Sequence, residues 1–138
     1  MLTPRTKLID IATRWLSLWN APTDWRAFDA LHAEYFKDFS PAGRPATKEG
    51  FAAGLREFIA AFPDMQIHSE LMVADDIQSR VAIRWSAFGT NRVKFLGVGP
   101  TNARTYITGI EIIEIEMDRI VKRWGEWDIS RHLNQPGG

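Results

Sequence analysis

The hydrophobic period of the chain changes once, at Pro63-Asp64, and that change restricts the fold class more than any motif does. Before it, Leu8, Ile11, Ala12, Trp15, Leu18 and Trp19 recur at three- and four-residue spacing, which predicts an amphipathic helix over residues 5–20. Asn20-Ala21-Pro22 ends that helix, with Asn20 read as its cap. Thr23 or Asp24 then caps a second, short helix carrying Trp25, Phe28 and Leu31. Residues 39–45 form a loop by their proline and glycine content. Thr47 is the N-cap of a third helix that turns Phe51, Leu55, Phe58 and Phe62 inward and stops at Pro63. From Met65 onward the chain is rich in β-branched and aromatic residues. Strands are expected at 65–74, 80–88, 92–97, 104–116 and 119–128. Helices first and an antiparallel meander after them give an α+β fold, with the helices packed on one face of a curved sheet.

A chain of 138 residues buries enough surface for one core, so a single domain over 1–138 is expected. Its 17 basic and 17 acidic residues cancel, which leaves no electrostatic footprint for nucleic acid or an anionic membrane. The absence of cysteine excludes disulfides, thiolate metal sites and cysteine nucleophiles. His32, His68 and His132 lack metal-ligand spacing, and His68 alternates with Gln66 and Glu70 on a face expected to be exposed. No nucleophile elbow accompanies Ser17 or Ser130. Gly97-Val98-Gly99 is a turn between strands, not a phosphate loop. The amino terminus carries no apolar signal core and no run is long enough to span a bilayer, so a cytoplasmic location is expected. Six tryptophans and eight phenylalanines are enough rings both to fill a core and to line a ligand cavity.

The chemistry concentrates in the last hairpin, which turns at Met117-Asp118 and closes as Arg123-Trp124-Gly125-Glu126-Trp127-Asp128. A carboxylate beside large apolar rings loses solvation, and its raised pKa suits it to move protons near neutral pH. Asp128 fits that description, and fits equally a residue that turns the chain after its last strand. With Ile115 opposite Ile120, strand alternation puts Glu111, Ile113, Trp124, Glu126 and Asp128 on one face, and Glu114, Arg123 and Trp127 on the other. A β-bulge would exchange the two sets beyond its position. Three acids on one face form either a pocket or a solvated surface. Arg84, beside Trp85, either meets a substrate anion or pairs with Glu111 or Glu114.

The order and spacing of many short stretches resemble the SnoaL-like polyketide cyclase family of the nuclear-transport-factor-like superfamily. The matching residues are Trp19-Asn20, Ala61-Phe62-Pro63-Asp64, Val81-Ala82-Ile83-Arg84-Trp85, Gly89-Thr90 and Phe95-Leu96-Gly97-Val98 with Pro100-Thr101. They continue through Gly109-Ile110-Glu111-Ile112, Ile120-Val121, Trp124 and Asp128 to Leu133 and Gln135. The resemblance implies a cone-shaped α+β barrel with a deep apolar pocket, usually paired as a homodimer. It also implies ring closure of an aromatic polyketide by intramolecular aldol condensation, with an aspartate as acid/base and no cofactor. By position that aspartate is Asp128, with Glu111 and Glu114 as further catalytic candidates. Candidate ligand contacts are Trp15, Trp19, Phe39 and Phe62 from the helical half, and Arg84, Asn91, Ile113 and Trp124 from the strands. The chain departs from the family pattern where Asn91 and Phe39 replace common histidines and where Lys122-Arg123 replaces Glu-His. It departs again at Pro100-Thr101-Asn102-Ala103-Arg104, one residue longer than usual, with Asn102 able to take a left-handed conformation. Three functional classes follow: a cofactor-independent cyclase, lyase or isomerase acting on a hydrophobic polyketide- or steroid-like molecule, a related pocket hydrolase or hydroxylase, and a non-catalytic dimeric binding module.

Overall fold

The chain's structure, a computed structural model, describes residues 2–97 and 99–128. Val98, Ser130, His132, Leu133 and Gln135 lie outside the described residues. Helix α1 (Arg5–Leu16) runs on as a 3-10 turn through Trp19 and is followed by α2 (Trp25–Leu31) and β1 (His32–Asp38). Then come α3 (Lys48–Ala61), β2 (Gln66–Asp75), β3 (Arg80–Thr90), β4 (Arg104–Glu116) and β5 (Arg119–Trp127). Local chemistry sets the boundaries. The Asp24 carboxylate accepts the N–H groups of Arg26 and Ala27 at 3.1 and 3.0 Å, and the Thr47 hydroxyl accepts that of Gly50 at 3.1 Å. Met117 and Asp118 both have positive φ, 49° and 65°, the conformation a two-residue hairpin needs to match strand twist. Asn102 also sits in the left-handed region, at φ 56°. Asn20 does more than stop a helix: its side-chain oxygen accepts the Ile67 N–H at 2.8 Å and ties the end of the first helix to β2.

Two features differ from the sequence reading. Residues 32–38 form a strand, and β1 lies parallel to β5, so the sheet is mixed, in the order β1-β5-β4-β3-β2. Residues 92–97 do not form a strand. Phe95 makes a lone bridge, and Leu96 and Gly97 at φ 51° and 81° turn the backbone out of any ladder.

The helices cover one face of the sheet. Trp15, Phe58, Phe62, Trp85 and Ile113 are fully buried among them. Within this core the Trp15 indole N–H donates to His32 Nε2 at 2.9 Å, so the His32 proton sits on Nδ1 and is donated to the Phe28 carbonyl at 2.7 Å. Burial, helped by the nearby Lys48 ammonium and opposed by the Phe28 carbonyl, pulls the imidazole pKa from 6.5 down to about 4. Between these values the unfolded chain binds a proton that the folded one does not, so stability rises with pH there and is lost on acidification. His32 alone should remove about 3 kcal/mol between pH 6.5 and 4. Denaturant melts of wild type and His32→Gln across that window check this: the variant should show a visibly shallower slope, and parallel slopes would contradict the assignment.

Candidate functional site

The register of the last hairpin builds the site. Ile115 faces Ile120, but Glu114 faces Lys122, so Val121 is an extra residue and the hairpin carries a bulge. Beyond it the faces exchange. Glu111, Ile113, Arg123 and Trp127 point to the helical side, while Trp124 belongs to the opposite face with Ile112. The expected grouping of Glu111 with Trp124, Glu126 and Asp128 is therefore corrected, and the physical reason is the single unpaired residue.

On the inner face two carboxylates share one guanidinium. Arg123 Nε donates to Glu111 Oε1 at 2.8 Å, and its Nη1 donates to Asp38 Oδ1 and Oδ2 at 3.1 and 3.3 Å and to the Ser40 carbonyl at 3.1 Å. The three side chains are 8% (Arg123), 5% (Asp38) and 1% (Glu111) exposed, so their charges meet in a nearly dry environment. Glu111 Oε2 is closed off by the indole N–H groups of Trp85 at 3.1 Å and Trp127 at 2.7 Å. Burial works against the charge of Arg123, but Glu111 and Asp38 outweigh it and raise its pKa above the ordinary value. Gly125 makes room for the pair, since a Cβ there would meet Arg123 Nη2 and lie 2.6 Å from Glu111 Oε1. One cation between two carboxylates leaves a net negative charge.

Beside this triad opens a cavity of about 430 Å³. Its apolar walls are Trp19, Phe51, Leu55, Phe58, Phe95 and Trp127, and its polar lining comes from Asp38, Ser40, Arg44, Arg123 and Glu126. The rings fix each other edge to face: Phe58 meets Trp127 at 5.1 Å between centroids and Phe95 at 5.6 Å. Ser40 is positioned by the Gly125 N–H, which donates to its hydroxyl at 3.0 Å. An apolar concavity with a few convergent polar groups is the usual form of a small-molecule site.

A family model described as SnoaL-like polyketide cyclase matches residues 9–136. The chain belongs to that family. TsrD from Streptomyces laurentii has the same fold, with a TM-score of 0.84 at 19% identity over 97% of this chain and 99% of that one. IdmH from Streptomyces antibioticus, described as a candidate polyketide cyclase, gives a TM-score of 0.80 at 27% identity, covering 93% of this chain and 96% of its own. AclR from Streptomyces galilaeus, described as a candidate hydroxylase, gives 0.80 at 19% identity, with 93% of this chain and 79% of that one covered. No curated protein matches the sequence.

Within this SnoaL-like cone the candidate residues separate. Trp19 and Phe39 line the cavity, and Glu111 stands behind its wall in the triad. Asp128 is exposed at the end of β5, where its backbone N–H donates to the Thr108 carbonyl at 2.9 Å, and it does not line the cavity. Glu114 faces the other way and pairs with Arg80 at 2.8 Å and Lys122 at 3.3 Å. Partial burial would raise its pKa, but these two cations hold it below the ordinary value. Arg84 is exposed on the outer face between Leu71 and Ile110. Trp15, Phe62 and Ile113 are core residues without a place in the cavity lining. Asn91 is a loop clamp: buried, it accepts the Thr101 N–H at 2.8 Å and donates to the Val93 carbonyl at 2.9 Å.

Trp124 stacks on Phe39 at 5.0 Å, with the Arg80 guanidinium 5.2 Å from its ring centroid, and is only half-buried. Trp124→Ala should therefore cost about 1–2 kcal/mol, against roughly 3–5 kcal/mol for Trp85→Ala in the core. Chemical denaturation of both variants checks the order, and equal losses would contradict the face assignment.

The sequence reading missed Asp38, Ser40 and Arg44 and put Arg123 on the wrong face. A signal existed only for Asp38, which alternates with the apolar Phe36 two positions earlier, as inward residues of a strand do.

Among the described residues no three metal-capable side chains cluster, and no helix is long and apolar enough to cross a membrane.

Proposed function

We propose that the cavity binds a hydrophobic, polyketide-like molecule and catalyses its ring closure by cofactor-independent acid/base chemistry. One observation carries this reading: Asp38 is the carboxylate of the Asp38–Arg123–Glu111 triad that lines an aromatic cavity. An ester- or ketone-activated carbon is acidic enough for such a carboxylate to deprotonate, and apolar walls hold the enolate against the ketone it attacks. The carbon–carbon bond forms, and the proton taken by Asp38 returns to the new alkoxide, so no co-reactant is consumed. Arg123 orients Asp38, while Glu111, locked by two indoles, keeps that guanidinium from neutralising it. Family membership and the likeness to IdmH support the reaction class.

The test uses an aromatic β-keto ester in heavy water. Wild-type protein should exchange the α-hydrogens well above the buffer rate and with saturation. Binding without exchange would instead support a second reading, a ligand-binding module, which the exposure of Asp128 favours.

The homodimer expected of the family has a candidate surface on the outer sheet face, where Leu71, Val73, Ile110 and Ile112 are exposed beside Phe88. Light scattering should give two copies for wild type and one for Ile110→Lys; a monomeric wild type would remove the dimer.

A further inference from the structure

One cation of the cavity is left over by the acid/base reading. Asp38 and Arg123 are mutual partners, and Glu126 is an exposed residue of the lining. Arg44 lines the same cavity from the loop before α3, with its side chain 22% exposed. Its Nη2 donates to Glu57 at 2.7 Å, but Glu57 is 61% exposed, so that pair is screened by solvent. Its Nε is buried and has no hydrogen-bond partner among the described residues. That atom lies out of reach of solvent, so it is the remainder of the guanidinium that the cavity meets. The guanidinium is held in place from behind. Gly54 on α3 has no side chain, and a Cβ there would lie 3.2 Å from Cζ, Nε and Nη1 of Arg44, so the planar group packs against the helix at that point. A planar guanidinium held against α3 in the wall of an apolar cavity, with a solvent-screened glutamate as its ion-pair partner, matches a carboxylate, which accepts charge-assisted hydrogen bonds.

We propose that Arg44 is a binding residue for a carboxylate on the ligand, so that the cavity selects hydrophobic aromatic acids over their neutral counterparts. The inference rests on the reading of this cavity as the ligand site and adds its specificity. The carboxylate end lies at Arg44 and the enolisable end at Asp38. Placing the anion at the arginine also keeps it from the negative triad, where like charge would repel it.

The experiment measures binding of 2-naphthoate and 2-naphthamide by calorimetry at pH 7.5 to wild type, Arg44→Gln and Arg44→Lys. Wild type should prefer the acid by about tenfold or more, the size of a charge-assisted hydrogen bond. Arg44→Gln should lose the preference while binding the amide as wild type does, which also shows that the variant is folded. Arg44→Lys should recover part of it. Equal binding of acid and amide by wild type, or a preference that survives in Arg44→Gln, would overturn the anchor and leave the cavity reading intact. Binding of neither probe to wild type would overturn both.

Discussion

Arg123→Met should destabilise the protein by about 3–5 kcal/mol, because it leaves the buried Glu111 and Asp38 carboxylates without their shared counter-charge. Against a total stability of roughly 5–15 kcal/mol that is a large fraction. Methionine fills much of the same volume and can still pack on Phe51, whose ring centroid lies 5.3 Å from the Arg123 guanidinium carbon, so lost packing is a minor part of the effect. The electrostatic origin is separable. Glu111→Gln keeps an oxygen for the Trp85 and Trp127 indoles, and adding it to Arg123→Met removes one stranded charge. The double variant should therefore be more stable than the sum of the two single losses predicts. Urea melts of the four proteins measure this coupling. An Arg123→Met loss below about 1 kcal/mol, typical of an exposed ion pair, would mean that the three side chains do not meet away from water.

The second large effect is on turnover. Asp38→Asn should slow α-proton exchange by about 10²–10⁴-fold, the usual contribution of a positioned acid/base group. The amide oxygen still accepts from Arg123 and from the Ser40 N–H, which donates to Asp38 Oδ1 at 2.9 Å, so the fold should persist while the proton acceptor is lost. Asp128→Asn is the informative companion. Its side chain is exposed at the strand end and outside the cavity lining, so the change should be small. The reverse ranking, with Asp128→Asn inactive and Asp38→Asn near wild type, would return the acid/base role to the residue that the family resemblance points to.

How far the sequence could be read depended on how local each determinant is. The first helix was plain because Leu8, Ile11, Trp15 and Trp19 repeat within a few residues of one another, and the Asp24 and Thr47 caps act within one turn. Strand β1 was hidden because Glu34, Lys37 and Asp38 interrupt its apolar pattern, and its partner β5 lies 85 residues away at the Asp38–Arg123 contact. No local propensity reports such a pairing. The bulge at Val121 is equally silent, since Ile120-Val121 reads as ordinary strand, yet that one residue decides whether Arg123 or Trp124 faces the helices. Glu111 was legible as a site candidate but not its surroundings: its register to β3 is uninterrupted and places Trp85 opposite Gly109, next to it on the inner face, whereas the sequence had grouped it with Trp124. Gly109 itself makes space for that indole, as a Cβ there would lie 2.7 Å from Trp85 Cε2. Asp38 alternates with Phe36, which marks it as inward, but what it meets there is set by the long-range parallel pairing of β1 with β5.

A crystal structure of the protein with a planar enol analogue of an aromatic β-keto ester would show where the reacting atoms sit. The analogue should lie inside the cavity against Phe51, Phe58 and Trp127, with its enol oxygen within hydrogen-bond reach of Asp38, about 2.6–3.2 Å. An analogue bound beside Asp128, or on the outer face of the sheet, with the cavity left to solvent, would contradict the acid/base role of Asp38.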